Sequence, residues 1–278
     1  MAVTTDDSLG MTFDIPRVIK RVVVTFRRNA VTFGAAGFAV WLLTALIELG
    51  LASVAALSVS PAHRTEWISH GFFGPLGLIC ILGFVLPLAF VHAMVVWGSI
   101  SDLTGKKPGV GQCLRAGWRH MLPVAAVGAL YMAGVWIGVW FLIIPGFALA
   151  VVWSAATPCQ VWEEVGVTES LRCSYALTEN NRLAIFGLRL VMGVVIFGAV
   201  MATLMAVGVV VGATMPAIIE ANEQSSPLAV GLGVMDLLLY MAAGVLLLAG
   251  AAIVPAAIYV ELKALRGELP GASLDMPD

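Results

Sequence analysis

Six apolar runs, each long enough to cross a lipid bilayer as a helix, constrain this chain more than any other feature of its sequence. A helical span needs about 20 predominantly apolar residues. The runs cover residues 30–58, 71–100, 121–143, 146–162, 183–218 and 228–260. Hydrophobic residues make up 60% of the chain and charged residues only 12%, too apolar a composition for a water-soluble fold to bury. The sequence therefore predicts an all-α, polytopic membrane bundle of about six transmembrane helices.

The fourth run follows the third at once, and the two are joined by Ile144, Pro145 and Gly146. Proline cannot donate to a helical ladder, and glycine tolerates a tight turn. The alternative is one kinked helix of about 40 residues, which would overshoot the bilayer. We therefore predict a hairpin bend at these three residues.

Basic residues are concentrated in alternate connections between the runs. Because cytoplasmic connections carry the excess of lysine and arginine, six spans place all of these connections, and both termini, on the cytoplasmic side of a cell membrane. Five or seven spans would break this parity, and the opposite connections hold only Arg64. The basic residues are Arg17, Lys20, Arg21, Arg27, Arg28, Lys106, Lys107, Arg115, Arg119, Arg172, Arg182, Lys263 and Arg266.

Residues 13–28 place apolar side chains at helical spacing, with the basic side chains mostly on other faces. This pattern predicts an interfacial amphipathic helix whose cations face anionic headgroups. Residues 109–120 and 168–180 resemble shorter versions, so we expect three repeats of an interfacial helix followed by a membrane hairpin. Residues 13–266 would form this membrane domain, between disordered tails at 1–12 and 267–278.

Three charged residues lie inside the apolar runs: Glu48, Asp236 and Arg189. Charges at membrane depth are costly and are candidates for function by default. Either Glu48 and Asp236 share a polar cavity that holds a proton or a cation, or Glu48 faces water at the end of its span while Asp236 snorkels or is hydrogen-bonded; we favour the second interpretation. Arg189 either snorkels to the headgroups, pairs with Glu163 or Glu164, or binds a lipid phosphate.

The sequence contains no nucleotide-binding loop and no nucleophile motif, and its longest basic connections are too short for a catalytic core. We therefore expect a non-enzymatic protein without a cofactor. The net charge of −2 argues against nucleic acid as a partner, which leaves membrane lipids and another membrane protein. The four cysteines stand singly, so we predict neither a disulfide framework nor a metal site.

The segment from Pro158 to Asn181 carries a recognisable set of residues before the fifth run. It resembles the signature region of the membrane domain of the glycerophosphoryl diester phosphodiesterase family and of related uncharacterised bacterial six-helix membrane proteins. The matching residues are Pro158, Glu163, Gly166, Ser170, Arg172, Ser174, Leu177 and Thr178. Cys173 stands where the family usually has a second basic residue. The resemblance implies a bacterial plasma or inner membrane and, without the family's soluble catalytic barrel, no phosphodiesterase activity.

The same residues also have a direct physical interpretation. Pro158 would end or kink the fourth helix, and Gly166 would permit a sharp turn into a helix capped by Thr168. Glu163 would pair with a basic residue of a neighbouring hairpin, as a folding clamp or as part of a ligand site. Arg172 is the nearest following cation in the sequence.

Two functions fit these observations. The first is a non-enzymatic scaffold or partner-binding module at the cytoplasmic leaflet. The second is a transporter, or a protein that handles lipids or peptides, with a polar intramembrane cavity around Glu48, Asp236 and Arg189. An intramembrane lipid enzyme is a weaker third. A cavity lined by both carboxylates would favour the second.

Overall fold

The computed structural model describes residues 13–58, 75–141, 143–223 and 227–268. That part of the chain forms α-helices and no strand, so the predicted all-α class is confirmed. Six of its helical stretches are long and apolar enough to cross a bilayer, as expected for a multi-pass membrane protein. The helices are α1 (Ile15–Ser58), α2 (Pro75–Leu103), α3 (Val110–Phe141), α4 (Ile143–Val152), α5 (Ala156–Glu163), α6 (Val167–Thr178), α7 (Arg182–Glu223) and α8 (Pro227–Leu265).

The amphipathic segment before the first span is not a separate helix. Residues 15–28 continue without interruption into the span, giving α1 a length of 44 residues. Asn29, at the predicted junction, is helical, and its side-chain amide donates to the carbonyl of Thr25 one turn earlier at 3.1 Å. Residues 110–120 likewise belong to α3. Only α6 is a separate helix as predicted, because the chain breaks between Thr178 and Arg182.

The predicted hairpin bend between the third and fourth spans is confirmed. A Cβ atom on Gly138 of α3 would lie only 2.7 Å from the Cα atom of Gly146 in α4, so these two helices touch through backbone atoms. In the described residues α3 ends at Phe141 and α4 begins at Ile143, so the predicted turn residues lie in the first turn of α4. Pro145 lies in the first turn of α4, where a missing N–H leaves no hydrogen bond unmade.

The fourth span is itself broken into α4 and α5. Residues 153–155 leave the helix, and Pro158 follows in the first turn of α5. Proline has no N–H to donate to the carbonyl four residues earlier, here that of Ser154, and its ring clashes with that carbonyl. The predicted interruption by Pro158 is therefore present, upstream of the proline.

The packed centre of the bundle is formed by α2 and the second half of α8. Val91, Met94, Ile253 and Ile258 are fully or almost fully buried. By contrast, α3 and α7 expose many large apolar side chains, which suits helices whose outer surface contacts lipid. Ion pairs gather at one end of the bundle, which we call the basic end; it carries Arg21, Arg119, Glu163, Glu261 and Lys263.

Candidate functional site

Glu261 of α8 is the most deeply buried charged group at the basic end. Its side chain has no exposed surface, and it accepts hydrogen bonds from two arginines of α1. Arg21 Nη1 lies 2.5 Å from Glu261 Oε2, and Arg17 Nη1 lies 3.2 Å from Oε1. A buried carboxylate needs such partners because it loses its hydration. The prediction that Arg21 faces lipid headgroups is therefore wrong.

Glu163 ends α5 and reaches α8, where it has two partners. Lys263 Nζ lies 3.0 Å from Glu163 Oε1, and the Tyr259 hydroxyl donates to the same oxygen at 2.8 Å. The predicted ion pair with a neighbouring hairpin is confirmed, with Lys263 as the cation. Lys263 also binds Glu268 at 2.5 Å, and this hydrogen bond lowers the pKa of the Glu268 carboxyl. These contacts join the fourth span to α8.

The turn between α5 and α6 differs from the prediction. Glu164 takes the left-handed conformation, with φ of 54°, whereas Gly166 is extended and begins α6 without a side-chain cap. Thr168 lies inside α6 and does not cap it. The Glu164 carboxylate lies 2.7 Å from Arg119 Nη2 of α3. The residue with the left-handed backbone therefore also forms an ion pair with α3.

A disulfide joins α5 to α6 next to Glu163. It links Cys159, which is fully buried, to Cys173, 14 residues later. The prediction of isolated cysteines is wrong, because spacing along the sequence does not show that the turn folds α6 back against α5. Cys173 Sγ also lies 3.7 Å from Glu163 Oε2. Cys159, Glu163 and Cys173 hold their ligand atoms within 4.8 Å of one another, but the sulfurs are engaged in the disulfide.

Two hydroxyl groups of α6 form hydrogen bonds with the backbone groups at the break in the fourth span. Ser174 Oγ donates to the carbonyl of Val152 at 2.7 Å and accepts from the N–H of Ala155 at 3.0 Å. Thr178 Oγ1 approaches the same carbonyl at 3.4 Å. Irregular backbone at membrane depth is tolerated when protein groups satisfy it. Sequence reasoning missed this role, although both residues belong to the motif quoted above.

Arg172 and Arg189 do not join Glu163. Arg172 is exposed and pairs with Glu169 one turn earlier on α6, at 3.2 Å. Arg189 Nη1 donates to the hydroxyl of Tyr131 on α3 at 2.8 Å, so the considered pairing of Arg189 with Glu163 or Glu164 is wrong.

The carboxylates of Glu48 and Asp236 lie outside the described residues. The backbone of Glu48 belongs to α1 and that of Asp236 to α8, so both residues are helical. The sequence-based question of a shared cavity therefore stays a prediction.

A pocket of about 360 Å³ opens at the basic end between α2, α3 and α5. The rings of Trp97 and Trp162 form one side, with centroids 6.4 Å apart. Lys106 and Lys107 contribute positive charge, and neither forms an ion pair with a residue in the described ranges. Glu164 lies at the edge and is already paired with Arg119. The pocket therefore combines aromatic surface with two ammonium groups that have no ionic partner in the described part of the chain.

No family model matches the chain. No curated protein and no solved structure matches it either. The resemblance to the membrane domain of the phosphodiesterase family therefore stays a prediction, based on the motif residues between Pro158 and Asn181.

Proposed function

We propose that this chain is a non-enzymatic integral membrane module of the bacterial plasma or inner membrane, and that it acts as a scaffold or partner-binding protein at the cytoplasmic leaflet. Both termini and the basic end would lie in the cytoplasm. The accumulation of arginine and lysine at that end supports the orientation. The family resemblance supports the bacterial membrane.

The observation that carries the partner-binding role is the pocket of Trp97, Trp162, Lys106 and Lys107. Tryptophan is enriched where proteins bind one another, and unpaired lysines favour an acidic partner. A partner segment with carboxylates beside an apolar side chain would match both parts of the pocket.

The ion pairs at the basic end support a scaffold more than a catalyst. Glu261 is engaged by Arg17 and Arg21, and Glu163 by Lys263 and Tyr259. Carboxylates held this way stabilise helix contacts and are not free to accept a substrate proton. The Glu163–Lys263 pair holds α5, which carries Trp162 of the pocket, against α8 before a partner arrives, and such preorganisation lowers the cost of binding.

Site-specific photo-crosslinking in native membranes tests the partner. A photoreactive amino acid replaces Gln112, which lines the pocket, or Leu183, which is exposed on the apolar surface of α7. We expect a discrete protein adduct from position 112 and none from position 183. The double variant Lys106→Glu/Lys107→Glu should lose the adduct.

The matched control reverses two exposed arginines that do not line the pocket, Arg27→Glu/Arg172→Glu, and should keep the adduct. An adduct that survives reversal of the lysines would contradict the pocket as the binding site. Hydrolysis of a glycerophosphodiester by the purified chain would contradict the non-enzymatic role. Reporters fused to the two termini should both be cytoplasmic; opposite locations would contradict the orientation.

A further inference from the structure

Two adjoining apolar grooves run along the outer surface of the bundle between α4 and α7. The deeper groove has a volume of about 460 Å³ and also touches α8 through Val254 and Pro255. The other, of about 430 Å³, lies nearer the start of α7. Phe147, Val151 and Phe186 line both grooves, so the two lie side by side, and we refer to them together as the channel.

Each groove contains one arginine of α7. Arg182, the first residue of the helix, lines the groove nearer the start of α7, and Arg189 lines the deeper groove. Residues seven apart lie on the same helical face, separated by about 10 Å along the axis. The basic groups thus stand one above the other along the apolar channel.

Neither arginine forms an ion pair with any residue of the described ranges. Aromatic rings hold them in place: Arg182 Cζ lies 4.6 Å from the ring centre of Tyr175, and Arg189 Cζ lies 5.9 Å from that of Tyr131. Nε and Nη2 of Arg182 and Nε of Arg189 are buried without a hydrogen-bond acceptor among the residues that the structure describes. An arginine at membrane depth is costly unless a counter-charge or acceptor is near.

We infer that this channel binds one anionic phospholipid of the leaflet at the basic end. The headgroup phosphate contacts Arg182 through Nη1, the guanidinium nitrogen that is not among the buried ones, in a charge-assisted hydrogen bond. Arg189, about 10 Å deeper by helix geometry, donates to the glycerol ester region. An acyl chain follows Phe147, Phe186 and Met192. Free phosphate would leave these apolar walls unused.

Binding of this lipid does not depend on the proposed partner pocket, which lies at a different part of the bundle and shares no lining residue with the channel. Each can fail while the other holds. The lipid site would, however, give a scaffold a fixed depth and a preference for anionic membranes.

Native mass spectrometry of the full chain in detergent micelles tests the inference. The chain is titrated separately with phosphatidylglycerol and with phosphatidylcholine of the same acyl chains. We expect one phosphatidylglycerol to be retained about tenfold more tightly than phosphatidylcholine, as expected for charge-assisted hydrogen bonds to two arginines. Inorganic phosphate added as a competitor should leave this lipid in place.

Three variants separate charge from shape. Arg182→Gln/Arg189→Gln should abolish the preference for phosphatidylglycerol, whereas the matched control Arg115→Gln/Arg172→Gln removes two exposed cations and should keep it. Gly193→Leu places a side chain in the deeper groove, where an added Cβ meets no atom within 4 Å, and should weaken both lipids. This third variant keeps both arginines, so it reports on the channel even where the double variant fails to fold.

Several results would overturn the inference. Equal retention of the two lipids by the unmodified chain would show that charge does not select the ligand. Displacement of the lipid by inorganic phosphate would show that the arginines bind a free anion. Unchanged binding in Gly193→Leu would place the lipid elsewhere on the bundle.

Discussion

Arg21 and Glu261 are separated by 240 residues in the chain, yet their side chains meet at 2.5 Å inside the protein. Both are almost completely buried, with 3% and 0% of their side-chain surface exposed. The contact joins the first helix to the last at the end of the bundle where most of the charges gather. A pair of this kind fixes which helices are neighbours, because leaving either charge without the other is costly.

We predict that Glu261→Gln destabilises the protein by about 3–5 kcal/mol, the usual cost of breaking a buried ion pair from one side. The substitution keeps the size of the side chain but leaves Arg21 buried with no negative charge beside it. Unfolding of the purified protein in mixed micelles, followed by circular dichroism against denaturant, measures the change.

The control for this prediction is Glu169→Gln, because Glu169 forms an exposed pair with Arg172. Exposed pairs contribute about 0–1 kcal/mol, so this variant should unfold almost like the original protein. Similar losses of stability in the two variants would show that the buried Arg21–Glu261 pair stabilises the protein no more than an exposed ion pair.

Ser174→Ala should destabilise the protein by about 1–3 kcal/mol, the cost of leaving a buried polar group unsatisfied. The hydroxyl accepts a hydrogen bond from the N–H of Ala155 and donates one to the carbonyl of Val152 in the broken fourth span. Ser174→Cys restores volume with a weaker donor and should recover only part of the loss. The same micelle unfolding experiment measures both.

Thr168→Ala is the matched control, since Thr168 is an exposed residue of the same helix. It removes a hydroxyl that does not reach the broken span. If Thr168→Ala cost as much as Ser174→Ala, the loss of a hydroxyl anywhere on α6, and not the loss of its hydrogen bonds to the broken span, would explain the effect.

Features set by hydrophobicity and by local chemistry were predictable from the sequence. The number of spans follows from the length of the apolar runs, and the hairpin follows from Pro145 and Gly146. The partner of Glu163 was predicted by type, because a carboxylate among cation-bearing connections needs a counter-charge. Its identity as Lys263 was not, because several cations were equally available.

Features that depend on which helices are neighbours were not predictable. The amphipathic pattern before Asn29 fits both a lipid-facing helix and one that buries Arg21 against Glu261, and only the position of α8 decides between them. The link between Cys159 and Cys173 likewise depends on the left-handed turn at Glu164, a conformation that a glutamate rarely takes.

Glu163→Ala should destabilise the protein more than Glu163→Gln, by about 1 kcal/mol. Glutamine loses the ion pair with Lys263 but still accepts the hydrogen bond from the Tyr259 hydroxyl, whereas alanine loses both. Tyr259→Phe should reproduce the difference between them. Unfolding in micelles ranks the three variants. Equal effects of alanine and glutamine would contradict a structural role for the Tyr259 hydrogen bond.

Cys159 and Cys173 should resist alkylation in the purified, unreduced protein, because their sulfurs are bonded to each other. The test uses the variant Cys80→Ser/Cys113→Ser, which retains only this pair of the four cysteines. The variant is unfolded in detergent and treated with a maleimide polymer. Its gel mobility should not change before reduction, and after reduction it should shift by the mass of two attached polymers.

The same bond closes a short loop, so Cys173→Ser should lower the stability of the unreduced protein by about 3 kcal/mol. The loss should almost disappear when both proteins are measured in reductant, since the original chain then has no cross-link either. Cys113→Ser, which alters a buried free thiol, should not show this dependence on reductant. A Cys173→Ser effect that is the same with and without reductant would mean that the residue contributes through packing and that no bond to Cys159 forms in the purified protein.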